Sequence, residues 1–159
     1  MKKLIYLLIP FFILSGELMN SGGVAHRLVA FAKTLVGFLP GGLALINIIS
    51  AMLMGSVAGS AMASASAMGS ILGPEMEKEG YSRGFGVAVN ITSATTGLVI
   101  PPSNILIVYS LASGGASIAA LFLAGYIPGI LTGLFLMIVA MLWAKKKNFK
   151  TVKREPLKK

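Results

Sequence analysis

The sequence of 159 residues contains no cysteine, no aspartate and a single histidine, His26. Without cysteine the chain forms no disulfide, no thiolate metal site and no cysteine nucleophile. The absence of aspartate excludes intramembrane aspartyl chemistry, and one histidine does not build a metal site alone. No G-x-x-x-x-G-K-[ST] segment occurs, so the chain carries no P-loop for ATP. We therefore expect neither an enzyme nor a resident cofactor.

Charged residues are also scarce: they make up 12% of the chain, while hydrophobic residues make up 55%. Soluble domains carry roughly 25% charged residues, so this composition indicates a membrane protein. The formal net charge is +9, but eight of the fourteen Lys and Arg residues lie in the basic tail at 145–159. The rest of the chain is nearly neutral, and we expect no nucleic-acid binding.

Two segments precede the most apolar part of the chain. Residues 1–23 are predicted to form a short membrane helix that ends at Asn20-Ser21-Gly22-Gly23. Residues 24–39 are predicted to form an amphipathic interfacial helix, because apolar residues recur at helical spacing between His26, Arg27 and Lys33. The recurring residues are Val24, Leu28, Phe31, Leu35 and Phe38. The alternative is a poor transmembrane helix that contains buried charges.

Residues 40–74 contain two apolar arms, 43–54 and 61–72, each too short to cross a bilayer. The segment between them is Gly55-Ser56-Val57-Ala58-Gly59-Ser60, and the second arm ends at Gly73-Pro74. This pattern predicts a re-entrant hairpin with its tip inside the membrane, followed by a charged loop at 75–83. One continuous tilted helix of about 30 residues, long enough to cross a bilayer, is the alternative.

Residues 84–115 are predicted to form a transmembrane helix that is broken at Pro101-Pro102. Neither proline donates an N–H, so carbonyls just upstream should lose their helical partners. Such carbonyls persist at membrane depth where they line an enclosed cavity or hold an ion. Thr95, Thr96, Ser103 and Asn104 add side-chain oxygens around the break, and oxygens are the ligands that sodium prefers.

Residues 116–144 are predicted to form a full transmembrane helix, with Trp143 at the membrane interface. Gly125, Gly129 and Gly133 lie four residues apart, which favours close packing against another helix. The basic tail at 145–159 places the C-terminus in the cytoplasm, together with the loop at 75–83. Lys2 and Lys3 oppose this orientation, but they are fewer than the charges of the tail.

A broken helix and a hairpin tip, both rich in Gly, Ser and Thr, are typical of secondary transporters. Helix breaks in such proteins coordinate a cation through unwound carbonyls and the C-termini of half-helices. Residues 34–74 contain no charged side chain. A proton-coupled pump would carry an intramembrane carboxylate or histidine, so the pattern favours sodium as the coupling ion.

Seven short motifs resemble, in order, the large membrane subunit (M subunit) of tripartite ATP-independent periplasmic (TRAP) transporters. They are 9–23 (IPFFILSGELMNSGG), 39–44 (LPGGLA) with Asn47, 59–61 (GSA), 69–72 (GSIL), 79–81 (EGY), 100–103 (IPPS) and 121–125 (LFLAG) with Pro128-Gly129. The resemblance extends to about residue 144. The chain resembles most of the first of two inverted repeats, without the opening helices of that repeat.

This resemblance implies an all-α polytopic membrane protein that is one repeat of a sodium-coupled elevator transporter in the cytoplasmic membrane of a bacterium or archaeon. It implies import of organic acids such as dicarboxylates, sialic acid or sugar acids. The implied partners are a small TRAP membrane subunit, a periplasmic solute-binding protein, the missing second repeat and the lipid bilayer.

The resemblance also places one sodium site and one wall of the substrate site where the tip meets the break. The implied sodium-site residues are Ser56, Gly59, Ser60, Thr95, Thr96, Pro101, Pro102 and Ser103, and the substrate-facing ones are Ser60, Ser64, Pro102, Ser103 and Asn104. Ser64 stands where the family often has an aspartate.

Two other hypotheses compete with a transporter. A self-standing small membrane protein could form a pore or assist assembly. An intramembrane enzyme would need Ser60 or Ser103 to act with His26.

Overall fold

The computed structural model describes residues 10, 11, 14–16, 18, 19, 21–147 and 149. Regular structure in this part of the chain is entirely helical, which confirms the predicted all-α class. The helices bounded within it are α1 (Val24–Val36), α2 (Gly42–Ala58), α3 (Ala61–Lys78), α4 (Arg83–Gly97), α5 (Asn104–Ala112) and α6 (Ile118–Lys147). The helix predicted at 1–23 lies largely outside the described residues, as does the basic tail at 148 and 150–159.

Helices α2 and α3 form a hairpin that turns at Gly59 and Ser60. Gly59 has a φ of 61°, which is the left-handed conformation that glycine adopts most readily, and it ends α2. Ser60 is extended, and its hydroxyl accepts a hydrogen bond from the Ala63 N–H at 3.2 Å, which caps the start of α3. Across the hairpin, Ser64 Oγ donates to the Ala51 carbonyl at 2.7 Å. One continuous helix is therefore not formed.

Helix α3 does not end at Gly73-Pro74 but runs through Pro74 to Lys78. A proline inside a helix removes one hydrogen bond and normally weakens the helix. Here the extra turn buries Met76, which is 1% exposed, against the side chain of Asn47 in α2. This tertiary burial offsets the lost bond and keeps the chain helical.

The chain is non-helical at 98–103, where the double proline predicts an interruption. Helix α4 ends at Gly97, and the next three residues form short bonds of the 3₁₀ type. Leu98, Val99 and Ile100 donate their N–H groups to the carbonyls of Thr95, Thr96 and Gly97 at 3.1–3.2 Å. The peptide between Pro101 and Pro102 is cis.

Helix α6 has 30 residues and is the one helix, within the described part, that is long and apolar enough to cross a membrane. Its most apolar stretch has a mean hydropathy of 2.2 and is 22% buried. At 1.5 Å per residue it is about 45 Å long, against roughly 30 Å for the hydrocarbon core. Most of its apolar surface faces outward, as in a helix that contacts lipid.

Helix α2 lies at the centre of the described structure and packs against α1, α3, α4 and α6. Nearly all of its residues are buried. Helix α1 packs on it through Ala25, Val29 and Ala32, which differ from the large apolar residues whose spacing predicts the helix. Phe31 and Leu35 are instead about half exposed, at 50% and 48%. Small side chains let α1 approach α2 closely and leave the large ones on the outer face.

An aromatic cluster closes the end of the molecule opposite the tip. Tyr81 stacks on Phe149 with ring centroids 3.9 Å apart, and Phe85 stacks on Trp143 at 4.2 Å. Tyr81 belongs to the connection between α3 and α4, whereas Trp143 and Phe149 lie at the end of α6 and just beyond it. The predicted loop at 75–83 is thus reduced to a connection at 79–82, and this connection and the start of the basic tail are at the same end of the protein.

Candidate functional site

The hairpin tip touches the start of α5. A Cβ atom placed on Gly59 would lie 2.6 Å from Nδ2 of Asn104, so the Asn104 side chain fills the space beside the glycine. Asn104 is the first residue of α5 and follows the break directly. The two elements that the sequence predicts to form a site are thus in direct contact.

Two further glycines let the backbones of α2 and α4 approach each other below the tip. A Cβ on Gly97 would lie 2.6 Å from the Met52 carbonyl oxygen and 3.1 Å from the Gly55 Cα. A Cβ on Gly55 would lie 3.0 Å from the Ala94 carbonyl oxygen. The sequence analysis does not predict this packing role for Gly97. The signal for it is a glycine shortly before the double proline, where a helix is expected to end.

The break is supported from behind by the glycine row of α6. A Cβ on Gly125 would lie 2.5 Å from the Val99 carbonyl oxygen, and one on Gly129 would lie 2.5 Å from Ile100 Cγ1. Gly133 lies against the side chain of Met52. The prediction that this row serves close packing is confirmed.

Four helix ends converge where the tip meets the break. Helices α2 and α4 end there, at Ala58 and Gly97, and helices α3 and α5 begin there, at Ala61 and Asn104. A helix C-terminus carries partial negative charge and a helix N-terminus carries partial positive charge. The same small region therefore offers one pair of helix ends suited to a cation and another pair suited to an anion.

Four of the five hydroxyl groups predicted for the sodium site, those of Ser56, Thr95, Thr96 and Ser103, donate to nearby backbone carbonyls. Ser56 Oγ donates to the Leu53 carbonyl at 2.9 Å, and Thr96 Oγ1 donates to the Thr92 carbonyl at 2.7 Å. Thr95 is exposed and donates to the same Thr92 carbonyl at 2.9 Å. The fifth hydroxyl, that of Ser60, accepts from the Ala63 N–H. Where the proton is occupied, as in Ser56, Thr95 and Thr96, the oxygen keeps its lone pairs for a cation.

Ser103 is fully buried and bridges the break. Its Oγ donates to the Leu98 carbonyl and accepts from the Leu106 N–H at 3.4 Å, so it also caps α5. The Leu98 carbonyl, which loses its helical partner because Pro102 has no N–H, is therefore paired with a side chain instead.

The carbonyls without a donor lie slightly further along the chain. In the described hydrogen bonds, those of Thr95, Thr96 and Gly97 accept from the N–H groups of the short 3₁₀ turn. No described donor reaches the carbonyl oxygens of residues 99–102. The Val99 oxygen faces the backbone of α6 at Gly125, so the available backbone oxygens of the break are those of Ile100, Pro101 and Pro102.

The residues expected to face a substrate are not all at one surface. Pro102 is exposed, while Ser60 and Asn104 are half-buried beside the tip. Ser64 is fully buried, and its hydroxyl is occupied by the bond to Ala51 between the two arms. The structure brings the first three together with the break and places Ser64 inside the hairpin.

The polar groups at this meeting point are uncharged. Residues 55–61 and 95–104 contain no ionisable side chain, and no group of three His, Asp or Glu residues that could hold a metal occurs in the part of the chain that the structure describes. Hydroxyl and carbonyl oxygens without a carboxylate suit a hard monovalent cation better than a transition metal.

Comparison with known proteins identifies a protein family that matches the chain. The model of the DctM component of tripartite ATP-independent periplasmic transporters matches residues 1–159. A Salmonella typhimurium protein named uncharacterized protein YgiK is 58% identical over 148 residues, which are 93% of this chain and 34% of that protein.

Other relatives, including the following two, have functional names. The C4-dicarboxylate TRAP transporter large permease protein DctM of Pseudomonas aeruginosa is 41% identical over 96% of this chain and 35% of its own length. The sialic acid TRAP transporter large permease protein SiaM of Vibrio cholerae is 38% identical over 92% of this chain and 34% of its own length. The chain thus spans about a third of the length of the curated relatives it matches.

Proposed function

Because the chain belongs to the DctM family of tripartite ATP-independent periplasmic transporters, we propose that it forms the part of a large permease subunit that binds one sodium ion and one side of an organic acid. The observation that carries this proposal is the contact between Gly59 and Asn104. That contact brings the hairpin tip next to the helix break, which supports a single site formed by both elements.

Sodium binds the oxygens that the two elements leave available. Its ligands are drawn from the carbonyls of Ile100, Pro101 and Pro102, with hydroxyl oxygens of Ser56, Ser60, Thr95 and Thr96. The C-termini of α2 and α4 add partial negative charge, as they do at the broken helices of other secondary transporters. Ser103 and Ser64 act as positioning residues, because their hydroxyls hold the break and the hairpin in shape.

The organic acid binds on the other side of the same region. The P. aeruginosa and V. cholerae relatives are named for C4-dicarboxylates and sialic acid, which are carboxylates. The N-termini of α3 and α5 carry partial positive charge and exposed N–H groups, which suit a carboxylate. Ser60, Pro102 and Asn104 are the side chains nearest to these two helix starts.

The hairpin is re-entrant in this proposal. Helix α2 has 17 residues, or about 26 Å, which is shorter than the hydrocarbon core of roughly 30 Å. The chain crosses the inner membrane several times with its C-terminus in the cytoplasm, and it moves as part of an elevator. It works with a second inverted repeat, a small membrane subunit and a periplasmic binding protein.

Uptake into proteoliposomes tests this function. The vesicles would contain the chain together with the rest of a large permease and the small subunit, and the binding protein would be added outside with a labelled C4-dicarboxylate or sialic acid. We expect uptake that requires an inward sodium gradient, and none from the chain alone, because one repeat supplies one tip. Uptake that is equal with choline in place of sodium would refute sodium coupling.

A further inference from the structure

A crevice of about 170 Å³ lies between α4 and α6, with α2 behind it. Ile48 of α2 is part of its lining and is 1% exposed, so it forms the floor. Val139 of α6 is 61% exposed and lies at the outer edge, where the crevice opens. The walls include Phe85, Ala88 and Thr92 of α4 and Leu136 of α6.

The crevice offers water a single polar side chain. Thr92 is the one residue with a hydroxyl among those that line it. The Thr92 hydroxyl is already bonded to the Ala88 and Val89 carbonyls, at 2.7 and 3.1 Å. A buried water needs about two to four polar partners, so an apolar space of this kind stays dry. Its occupant is therefore apolar.

An aromatic pair and two lysines continue the crevice toward the end of α6. Phe85 stacks on Trp143, with ring centroids 4.2 Å apart. Trp143 lies two helical turns after Leu136 and Lys147 lies one turn after Trp143, so all three share one face of α6. Lys147 Nζ is 5.8 Å from the centroid of the Trp143 ring, and Lys146 is its neighbour on the chain. Tryptophan and lysine at the end of an apolar helix mark the boundary between membrane and water.

We propose that the crevice binds one acyl chain of an anionic phospholipid, whose phosphate lies against Lys146 and Lys147. A phospholipid carries its apolar chain and its charged headgroup in the same order as the crevice and the lysines. Lysines beside an apolar helix attract anionic lipids. In the proposed orientation of the chain, this lipid belongs to the cytoplasmic leaflet.

The charges at this end of the molecule favour an anionic headgroup. The last turn of α6 carries three consecutive lysines, 145–147. The acidic residues at the end of α3 and in the α3–α4 connection, Glu77 and Glu79, are matched in number by Lys78 and Arg83. The lysines of α6 therefore remain as the net positive charge of this end within the described residues.

The size of the crevice favours a lipid chain over another protein helix. One helical turn, about 5.4 Å long and about 10 Å across, fills roughly 400 Å³, which is more than twice the volume of the crevice. The surface of α6 around it is apolar and turned outward, since its most apolar stretch is 22% buried. None of these residues is part of the hairpin tip or the break, so the proposal is independent of the sodium site.

Quenching of Trp143 fluorescence by brominated lipids tests the proposal, because Trp143 is the one tryptophan of the chain. The purified chain would be placed in bilayers that mix phosphatidylcholine with phosphatidylglycerol, with bromine on the acyl chains of one lipid or the other. We expect phosphatidylglycerol to bind beside Trp143 with about fivefold higher relative affinity or more. Equal quenching by the two lipids would overturn the proposal. Quenching by neither would also overturn it, because protein would then cover the crevice.

Two pairs of charge substitutions locate the headgroup. Lys146→Gln combined with Lys147→Gln should reduce the preference for phosphatidylglycerol to about twofold or less. Lys78→Gln combined with Arg83→Gln removes the same charge at the same end of the molecule but away from the crevice, and it should leave the preference unchanged. Equal effects of the two pairs would show general attraction to a basic surface and would contradict a built site.

Filling the crevice tests the place of the acyl chain. Ala88→Phe puts a large side chain into the crevice from an exposed position of α4, and we expect it to remove the preference for phosphatidylglycerol. Ala120→Phe, at an exposed position near the start of α6, is the matched control and should keep it. An Ala88→Phe protein that folds and retains the full preference would overturn the proposal. If Ala88→Phe does not fold, the comparison of the two charge pairs decides alone.

Discussion

Gly59 and Asn104 are in contact although 45 positions separate them, and no Cβ atom fits between them: it would lie 2.6 Å from Asn104 Nδ2. Gly59 also has a φ of 61°. The glycine is therefore required twice, once for its backbone conformation and once for its lack of a side chain. This contact fixes the hairpin tip against the broken helix. In the proposed sodium site, neither element alone supplies all of the oxygen ligands.

A double-mutant cycle tests this contact. Gly59→Ala should destabilise the chain through both its φ and the clash, and Asn104→Ala should relieve the clash alone. We expect a favourable coupling of about 1 kcal/mol or more between the two changes in the free energy of unfolding. Gly114→Ala is the matched control, since Gly114 has a φ of 87° but no atom within 4 Å of its added Cβ. Simple additivity at Gly59 and Asn104 would show that they do not touch.

The Ser64 hydroxyl should matter for stability. Ser64→Ala removes the bond to the Ala51 carbonyl at 2.7 Å in a fully buried place, and we expect a loss of about 1 kcal/mol in the free energy of unfolding. Ser66→Ala, on an exposed position of the same helix, should change it by less than about 0.5 kcal/mol. Equal effects of the two substitutions in denaturant unfolding would remove the support for a positioning role of Ser64.

Stability should fall at alkaline pH through Tyr81. Burial, and then the nearby charge of Glu79, raise the pKa of Tyr81 from 10.0 to about 12. The unfolded chain therefore loses this proton first, so the stabilisation is complete below pH 10 and is lost as the pH rises from about 10 to about 12. Tyr81→Phe should reduce the decrease in thermal midpoint between pH 9 and pH 11. If Tyr81→Phe changes this decrease no more than the exposed Tyr109→Phe does, Tyr81 is not its source.

The topology can be read with single cysteines, because the chain has none of its own. The aromatic cluster of Tyr81, Phe85, Trp143 and Phe149 places the α3–α4 connection at 79–82 and the end of α6 together. We expect Glu79→Cys and Lys146→Cys to resist an impermeant maleimide in intact bacteria and to react after lysis. Labelling of both from outside would invert the proposed orientation, and labelling of one alone would contradict the cluster.

Local chemistry explains which parts of the fold the sequence predicts. A proline lacks an N–H in any surroundings and a glycine tolerates a positive φ at little cost, so the break at Pro101-Pro102 and the turn at Gly59 can be found from the residues alone. The helical class follows likewise from the composition and the apolar runs.

Other features depend on partners that are distant in sequence. The extension of α3 past Pro74 requires burial of Met76 against Asn47, and the fate of the Leu98 carbonyl depends on the Ser103 hydroxyl. Which face of α1 points outward depends on its packing against α2, which buries the small side chains of Ala25, Val29 and Ala32.

The central claim is that the carbonyls of the break bind sodium at the tip. Its most direct test is the sodium-dependent shift in the thermal midpoint of the chain, co-expressed with the rest of a large permease, for the wild type, Pro102→Ala and Ser103→Ala. Pro102→Ala lets the helix re-form through the break, so that its carbonyls return to intrahelical bonds, and we expect the sodium shift to be lost. Ser103→Ala should cost about 1 kcal/mol of stability and keep the shift, because the carbonyls of residues 100–102 remain available. A Pro102→Ala protein that folds and shows the full sodium shift would contradict the claim.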